Sequence, residues 1–195
     1  MRTLRAGWVP TLAWRLFCLL AVIALVGVAW RLLGHVPYRI DIDVYRMGGL
    51  VLLDGGDLYG ILPRLAEGSY LPFTYPPLAA ALFSIFTVVP LGLGQALFTA
   101  ISIACLLVVC RIVLSCLVER PAHELWWLAT AAATVGLWLE PVRDTLNFGQ
   151  INIVLMTLVV VDVLLGRGRW WNGLLVGLAI SIKLTPAVFL LFFLV

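Results

Sequence analysis

The chain has 195 residues, of which 63% are hydrophobic and only 12% charged, with a net charge of +3. A soluble domain carries about a quarter charged residues, and one core of this size cannot hide so much apolar surface. The composition therefore excludes an ordinary water-soluble globule and leaves lipid as the solvent. Twelve of the 13 basic residues are Arg and sit singly or in short clusters between apolar runs, a pattern of topology signals that excludes a nucleic-acid surface.

Arg2, Arg5 and Arg15 precede an apolar run at 16–33 that lacks a small-x-small cleavage pattern and closes on Trp30-Arg31. An uncleaved first helix with a cytoplasmic N-terminus is expected there. Residues 34–76 form the longest polar stretch and carry Asp41, Asp43, Asp54, Asp57 and Glu67, half of the acids. Within it, 44–53 reads as a short surface helix stopped by Asp54-Gly55-Gly56-Asp57. The apolar run at 78–90 falls short of the about 17–25 residues that a span needs, so it is expected to re-enter or lie in the interface. Further spans are expected at 95–118, 125–140, 150–165 and 172–194.

If 78–90 does not cross, Arg120 and the pair Arg167 and Arg169 share the cytoplasmic side with the N-terminus, as the positive-inside tendency requires. The acidic loop 34–76 and the polar segment 140–152 then meet on the extracytoplasmic face. The fold expected is an all-α integral membrane protein, one membrane domain over 1–195, whose large first extracytoplasmic loop carries short juxtamembrane helices. The last residues, Phe192-Phe193-Leu194-Val195, stop within an apolar run, so an N-terminal part of a longer protein is expected. Cys18, Cys105, Cys110 and Cys116 fall inside apolar runs without a Cys-x-x-Cys pair, and the histidines are only His35 and His123. Neither a metal site nor a disulfide is expected.

Asp41-Ile42-Asp43-Val44-Tyr45-Arg46 places two carboxylates directly after the first span, where one can act as a general base or hold a cation. In an extended chain they point to opposite sides, so only one faces a given site; ordinary loop charge is the alternative. If helical, the segment from Arg143 aligns Arg143, Asn147 and Gln150 on one stripe. A fork donor with amides suits sugar hydroxyls or phosphate oxygens, against the alternative of a solvated loop. Lys183 is the only lysine and lies inside the apolar run 172–194. Burial in lipid costs a lysine roughly 2.5–3.5 kcal/mol, so it is expected to face a polar cavity or to pair with an acid. Pro186 is expected to kink that helix, and Gly173, Gly177 and Ser181 form a small-residue seam suited to close packing. Asp162 and Arg111 are expected to snorkel or pair, and Trp126-Trp127 and Trp170-Trp171 to anchor span ends.

Asp41-Ile42-Asp43-Val44-Tyr45-Arg46 with Gly48-Gly49 and Leu58-Tyr59, then Phe73-Thr74-Tyr75-Pro76-Pro77, Gly149-Gln150-Ile151-Asn152 and Lys183-Leu184-Thr185-Pro186, taken in order, resemble glycosyltransferase family 87. That family includes the mycobacterial polyprenyl-phosphate-mannose-dependent α-mannosyltransferases. The resemblance implies a GT-C-like multi-span helical bundle in the plasma membrane with its active site on the extracytoplasmic side. It implies a polyprenyl-phosphate sugar donor, with mannose as the expected hexose, a glycolipid or polysaccharide acceptor, inversion at the anomeric carbon, and no cofactor. The family's base, an Asp just after the first helix, falls on Asp41, with Asp43 as rival. Lys183 or Arg143 is expected to balance the donor phosphate, and Tyr75, Asn147, Gln150 and Asn152 to contact substrate. Two other readings stay open at this point: a membrane transporter or lipid flippase, and an inactive membrane subunit.

Overall fold

The computed structural model describes residues 11–34 and 38–193. Among the described residues all regular structure is helical: α1 (Thr11–Gly34), α2 (Ile40–Leu53), α3 (Pro77–Phe83), α4 (Leu91–Leu117), α5 (Ala122–Gly136), α6 (Glu140–Phe148), α7 (Asn152–Leu165) and α8 (Leu174–Ile182), with 3₁₀ segments at Ser84–Thr87 and Thr185–Phe193. Proline marks four of the starts. Pro77 and Pro141 occupy the first turns of α3 and α6, and Pro90 and Pro121 cap α4 and α5. A fixed φ and a missing N–H cost nothing at a helix start, whose first N–H groups have no intrahelical partner.

α4 alone among the described residues is long and apolar enough to cross a membrane as a single helix. α6 and α7 meet the same criterion together but are bent by 120° at the break between them. α5 and α7 are packed along α4, α1 lies against α5 and α4, and α8 rests on α7. Thr134 Oγ1 shares its hydrogen between the Thr130 carbonyl of α5, at 2.8 Å, and the Ala21 carbonyl of α1, at 3.2 Å. One hydrophobic cluster joins α2, the loop at 58–75, α3, α7 and α8; a second joins α4, α5, α6 and α7. Both converge on the turn between α6 and α7.

Three local expectations are overturned. The surface helix at 44–53 is a buried one that begins earlier, at Ile40, and covers Ile42, Val44, Tyr45, Gly48 and Gly49. Glycine is the reason: a Cβ on Gly48 would run into the Phe73 ring, and one on Gly49 would stand 2.7 Å from the Ser84 Cα. α2 therefore lies flat on the backbone that follows α3. The expected stretch 172–194 is not one helix. α8 ends at Ile182, Lys183 is extended (φ −150°, ψ 135°), and the chain resumes as 3₁₀ from Thr185. Pro186 has no N–H for the Ile182 carbonyl and disfavours α geometry at Thr185, so the helix breaks where a kink was expected. Finally, the Gly173, Gly177, Ser181 seam packs on nothing described: no atom lies within 4 Å of a Cβ on Gly173 or Gly177.

Asp162, fully buried in α7, neither snorkels nor pairs with Arg111. Its two carboxylate oxygens accept the Gly173 and Val176 N–H groups, each at 2.8 Å, and so cap the start of α8 from a neighbouring helix. Arg111 stacks over Trp126, 5.7 Å from the ring centroid, a cation–π contact that covers part of its charge.

Candidate functional site

Asp41 and Asp43 stand in the first turn of α2, not in an extended strand, yet the outcome for their side chains is similar. At 100° per residue they lie about 200° apart around the helix. Asp43 is 1% exposed. Its Oδ2 accepts the Tyr38 hydroxyl at 2.9 Å and the Ala66 N–H at 2.7 Å, so it fastens the loop at 58–75 to α2. Asp41 is half-buried and turns to the opposite side. Burial pushes its pKa above the ordinary carboxylate value, while a hydrogen bond from the Gln150 amide and the charge of Lys183 pull it back down.

Lys183 comes to the same place from the break after α8. Its Nζ donates to Asn152 Oδ1 at 2.8 Å and lies 5.5 Å from the centroid of the Tyr75 ring. Asn152 Nδ2 in turn donates to Gln150 Oε1 at 2.8 Å. Beneath this row the Tyr45 and Tyr75 hydroxyls share a hydrogen bond of 3.1 Å, and Tyr45 Oη accepts the Ile151 N–H at 3.3 Å. Tyr45 is fully buried and stacks on Phe83 with centroids 4.1 Å apart, which fixes its ring and, through the shared hydrogen bond, the Tyr75 hydroxyl. Burial first, and then the Tyr75 neighbour and the Asp41 charge, raise the Tyr45 pKa, so both phenols stay neutral.

Gly149 makes this meeting sterically feasible. It ends α6 at φ 74°, where the left-handed conformation suits glycine. A Cβ there would stand 2.7 Å from Ile42 Cγ1 and 2.9 Å from Arg39 Cβ. The absence of a side chain lets the turn at 149–151 touch α2, and the Gln150 N–H closes the turn onto the Thr145 carbonyl at 2.8 Å.

Of the residues expected from the sequence, Asp41, Tyr75, Gln150, Asn152 and Lys183 are brought together. Arg143 and Asn147 are not. Both are exposed on α6 without a hydrogen bond or ion pair to that group among the described residues. The expected stripe of Arg143, Asn147 and Gln150 fails because α6 stops at Phe148 and Gly149 reverses the chain, carrying Gln150 off the helix. Two participants escaped sequence reading. Tyr45 has a signal in retrospect, an aromatic residue one helical turn from Asp41. Arg39, fully buried with its Nε donating to the Leu146 carbonyl at 2.9 Å, has none that separates it from other loop arginines.

An open apolar groove of about 280 Å³ starts at Asn152 and Thr185 and runs between α7 and the 3₁₀ segment, past Leu155, Met156, Val159 and Phe189. The site thus joins a carboxylate of raised pKa, an ammonium and an oily channel.

Comparison with known proteins supplies an independent context for this geometry. The model of glycosyltransferase family 87 matches residues 73–195. Two polyprenol-phosphate-mannose-dependent alpha-(1-2)-phosphatidylinositol mannoside mannosyltransferases are similar to the chain. That of Mycolicibacterium smegmatis is 51% identical over 97% of this chain and 46% of the relative. That of Mycobacterium tuberculosis is 49% identical over 93% of this chain and 45% of the relative. A polyprenol-phosphate-mannose-dependent alpha-(1-2)-phosphatidylinositol pentamannoside mannosyltransferase of Mycolicibacterium smegmatis is 40% identical over 90% of this chain and 42% of the relative. The chain therefore spans less than half the length of these curated relatives. No solved structure matches it.

Proposed function

The chain belongs to glycosyltransferase family 87, and from that premise we propose that it serves mannosyl transfer from a polyprenyl phosphate donor to a phosphatidylinositol mannoside acceptor, at the extracytoplasmic face of a multi-pass membrane domain. One observation carries this reading. Asp41, from the start of α2, and Lys183, from the break after α8, are joined through Gln150 and Asn152 into a single polar site.

The chemistry follows from those two groups. Asp41 takes the proton of the acceptor hydroxyl as that oxygen attacks the anomeric carbon. The bond from that carbon to the phosphate oxygen breaks on the opposite face, its electron pair leaves with the polyprenyl phosphate, and the anomeric centre inverts. Negative charge grows on the leaving phosphate, and the Lys183 ammonium stabilises it. A carboxylate raised above its ordinary pKa is a stronger base near neutral pH than an exposed one. The groove beyond Asn152 gives the isoprenoid chain an apolar bed beginning beside the cation that meets its phosphate. Tyr75, held by Tyr45, sets its ring beside the Lys183 ammonium and lines the floor of the site. Asp43 commits its Oδ2 to Tyr38 and Ala66 while its Oδ1 is buried without a hydrogen-bond partner; its part is to fasten the loop to α2.

The test supplies membranes carrying the chain with radiolabelled polyprenyl-phosphate mannose and a phosphatidylinositol mannoside. Label is expected in a larger glycolipid. Lys183→Met is expected to lower the rate with saturating donor, because the charge it meets grows in the transition state, and to raise the KM for the donor as well. Movement of the donor lipid across the bilayer, with no sugar transferred, refutes the transferase reading in favour of a flippase.

A further inference from the structure

The direction of each hydrogen bond between Lys183 and Asp41 is fixed by the two ends of the row. An ammonium can only donate, so Lys183 must meet the oxygen of Asn152, as it does at 2.8 Å. That commits the Asn152 Nδ2 to the Gln150 oxygen, also at 2.8 Å. The only polar atom Gln150 has left is its Nε2, a donor, and a carboxylate accepts. Each amide dipole therefore points the same way, from cation to anion. Each amide oxygen accepts one bond of the row and each amide nitrogen donates one, which fixes the orientation of both side chains.

We propose that Gln150 and Asn152 are positioning residues that form a one-way amide relay, carrying the field of Lys183 to Asp41 and fixing the carboxylate against α2. This role rests on the reading of Asp41 as base given above and goes beyond the substrate contact expected of both amides. Hydrogen bonds in line polarise one another where the dielectric is low. The other groups facing Asp41 are the phenols of Tyr45, on its own helix, and Tyr75, on the loop before α3. Both are neutral, so against the dominant effect of burial the charge that lowers the carboxylate's affinity for a proton is that of Lys183. A phosphate that takes up the Lys183 charge weakens the field at the far end of the relay. Asp41 then becomes more basic when the donor is in place and stays a weaker base when it is not, which favours acceptor activation only after donor binding.

The relay is tested by titrating Asp41 directly, through the infrared carbonyl band of its protonated carboxyl, assigned by its loss in Asp41→Asn. In Asn152→Asp the new side chain can only accept, so Gln150 must turn its Nε2 toward it and present oxygen to Asp41. In Gln150→Met the link is cut with little change in volume. In both variants the Asp41 band is expected to persist to higher pH than in the parent, and the acid limb of mannosyl transfer to move the same way. The transfer rate is expected to fall roughly tenfold to a hundredfold, as for the loss of a hydrogen bond to a charged group. A band that titrates at the parental pH in both folded variants overturns the relay, whatever the variants do to stability. A band that shifts in a chain that transfers no sugar upholds the relay and refutes the transferase reading instead.

Discussion

Replacing Gly149 by Ala loads the contact on which the site depends, and its cost is worked from two separate causes. Gly149 sits at φ 74°, and an L-residue in the left-handed region loses about 1–2 kcal/mol. The added Cβ also meets Ile42 Cγ1 at 2.7 Å, Ile42 Cδ1 at 2.8 Å and Arg39 Cβ at 2.9 Å. Ile42 Cδ1 is a side-chain end, but Ile42 Cγ1 and Arg39 Cβ stand close to their backbones, so overpacking adds about 1–3 kcal/mol. The sum is about 2–5 kcal/mol. Gly168 is the internal control: its φ is 75° but nothing lies within 4 Å of its Cβ position, so Gly168→Ala is expected to cost only about 1–2 kcal/mol. Tryptophan fluorescence during chemical unfolding in detergent compares the two. Relief of the clash moves the turn at 149–151 off α2, so Gly149→Ala is also expected to lose transfer activity that Gly168→Ala retains. Equal stability losses in the two variants would refute the close approach of the turn to α2.

Three further outcomes follow from the same contacts. Asp162→Ala strands the buried Val176 N–H, at roughly 1–3 kcal/mol, and frees the part-buried Gly173 N–H; it is expected to speed hydrogen exchange at Gly173 and Val176 more than elsewhere. Gly177→Ala, in the middle of α8 with open space around it, is expected to raise stability by up to about 1 kcal/mol through helix propensity, which the same unfolding assay reads. The third concerns pH. The folded-state pKa of Asp41 lies above its ordinary value, so its contribution to stability is complete below the unfolded pKa and is lost as pH rises through the folded one. Asp41→Asn removes that loss and is expected to unfold later than the parent at neutral pH, with the difference shrinking on acidification.

The sequence announces the helices through their punctuation, and it announces the site through residues that have no business in lipid. Prolines 77, 90, 121 and 141 mark starts that need no tertiary knowledge. A lone lysine in an apolar run is costly enough to require a purpose, and it is linked to the carboxylate after the first apolar helix through Asn152 and Gln150. What the residues alone leave hidden depends on through-space geometry. The Arg143 stripe assumes that α6 continues, whereas Gly149 ends it in the left-handed conformation and packs against Ile42. Gly173, Gly177 and Ser181 have the spacing of a packing seam, as Gly48-Gly49 does not, yet the latter pair meets Phe73 and Ser84. Small-residue spacing specifies a surface that permits close approach and says nothing about what approaches. Likewise the capping of α8 by Asp162 crosses between helices, so no local rule about carboxylates in spans locates it.

Mannosyl transfer by Asp41→Asn, set beside Asp43→Asn in the same membranes with polyprenyl-phosphate mannose in excess, probes the assignment of the base most directly. Loss of the Asp41 carboxylate from an otherwise folded chain is expected to lower the rate by about 10²–10⁴-fold, while Asp43→Asn, corrected for the folded fraction, keeps most of its activity. Parental turnover in Asp41→Asn would contradict the account.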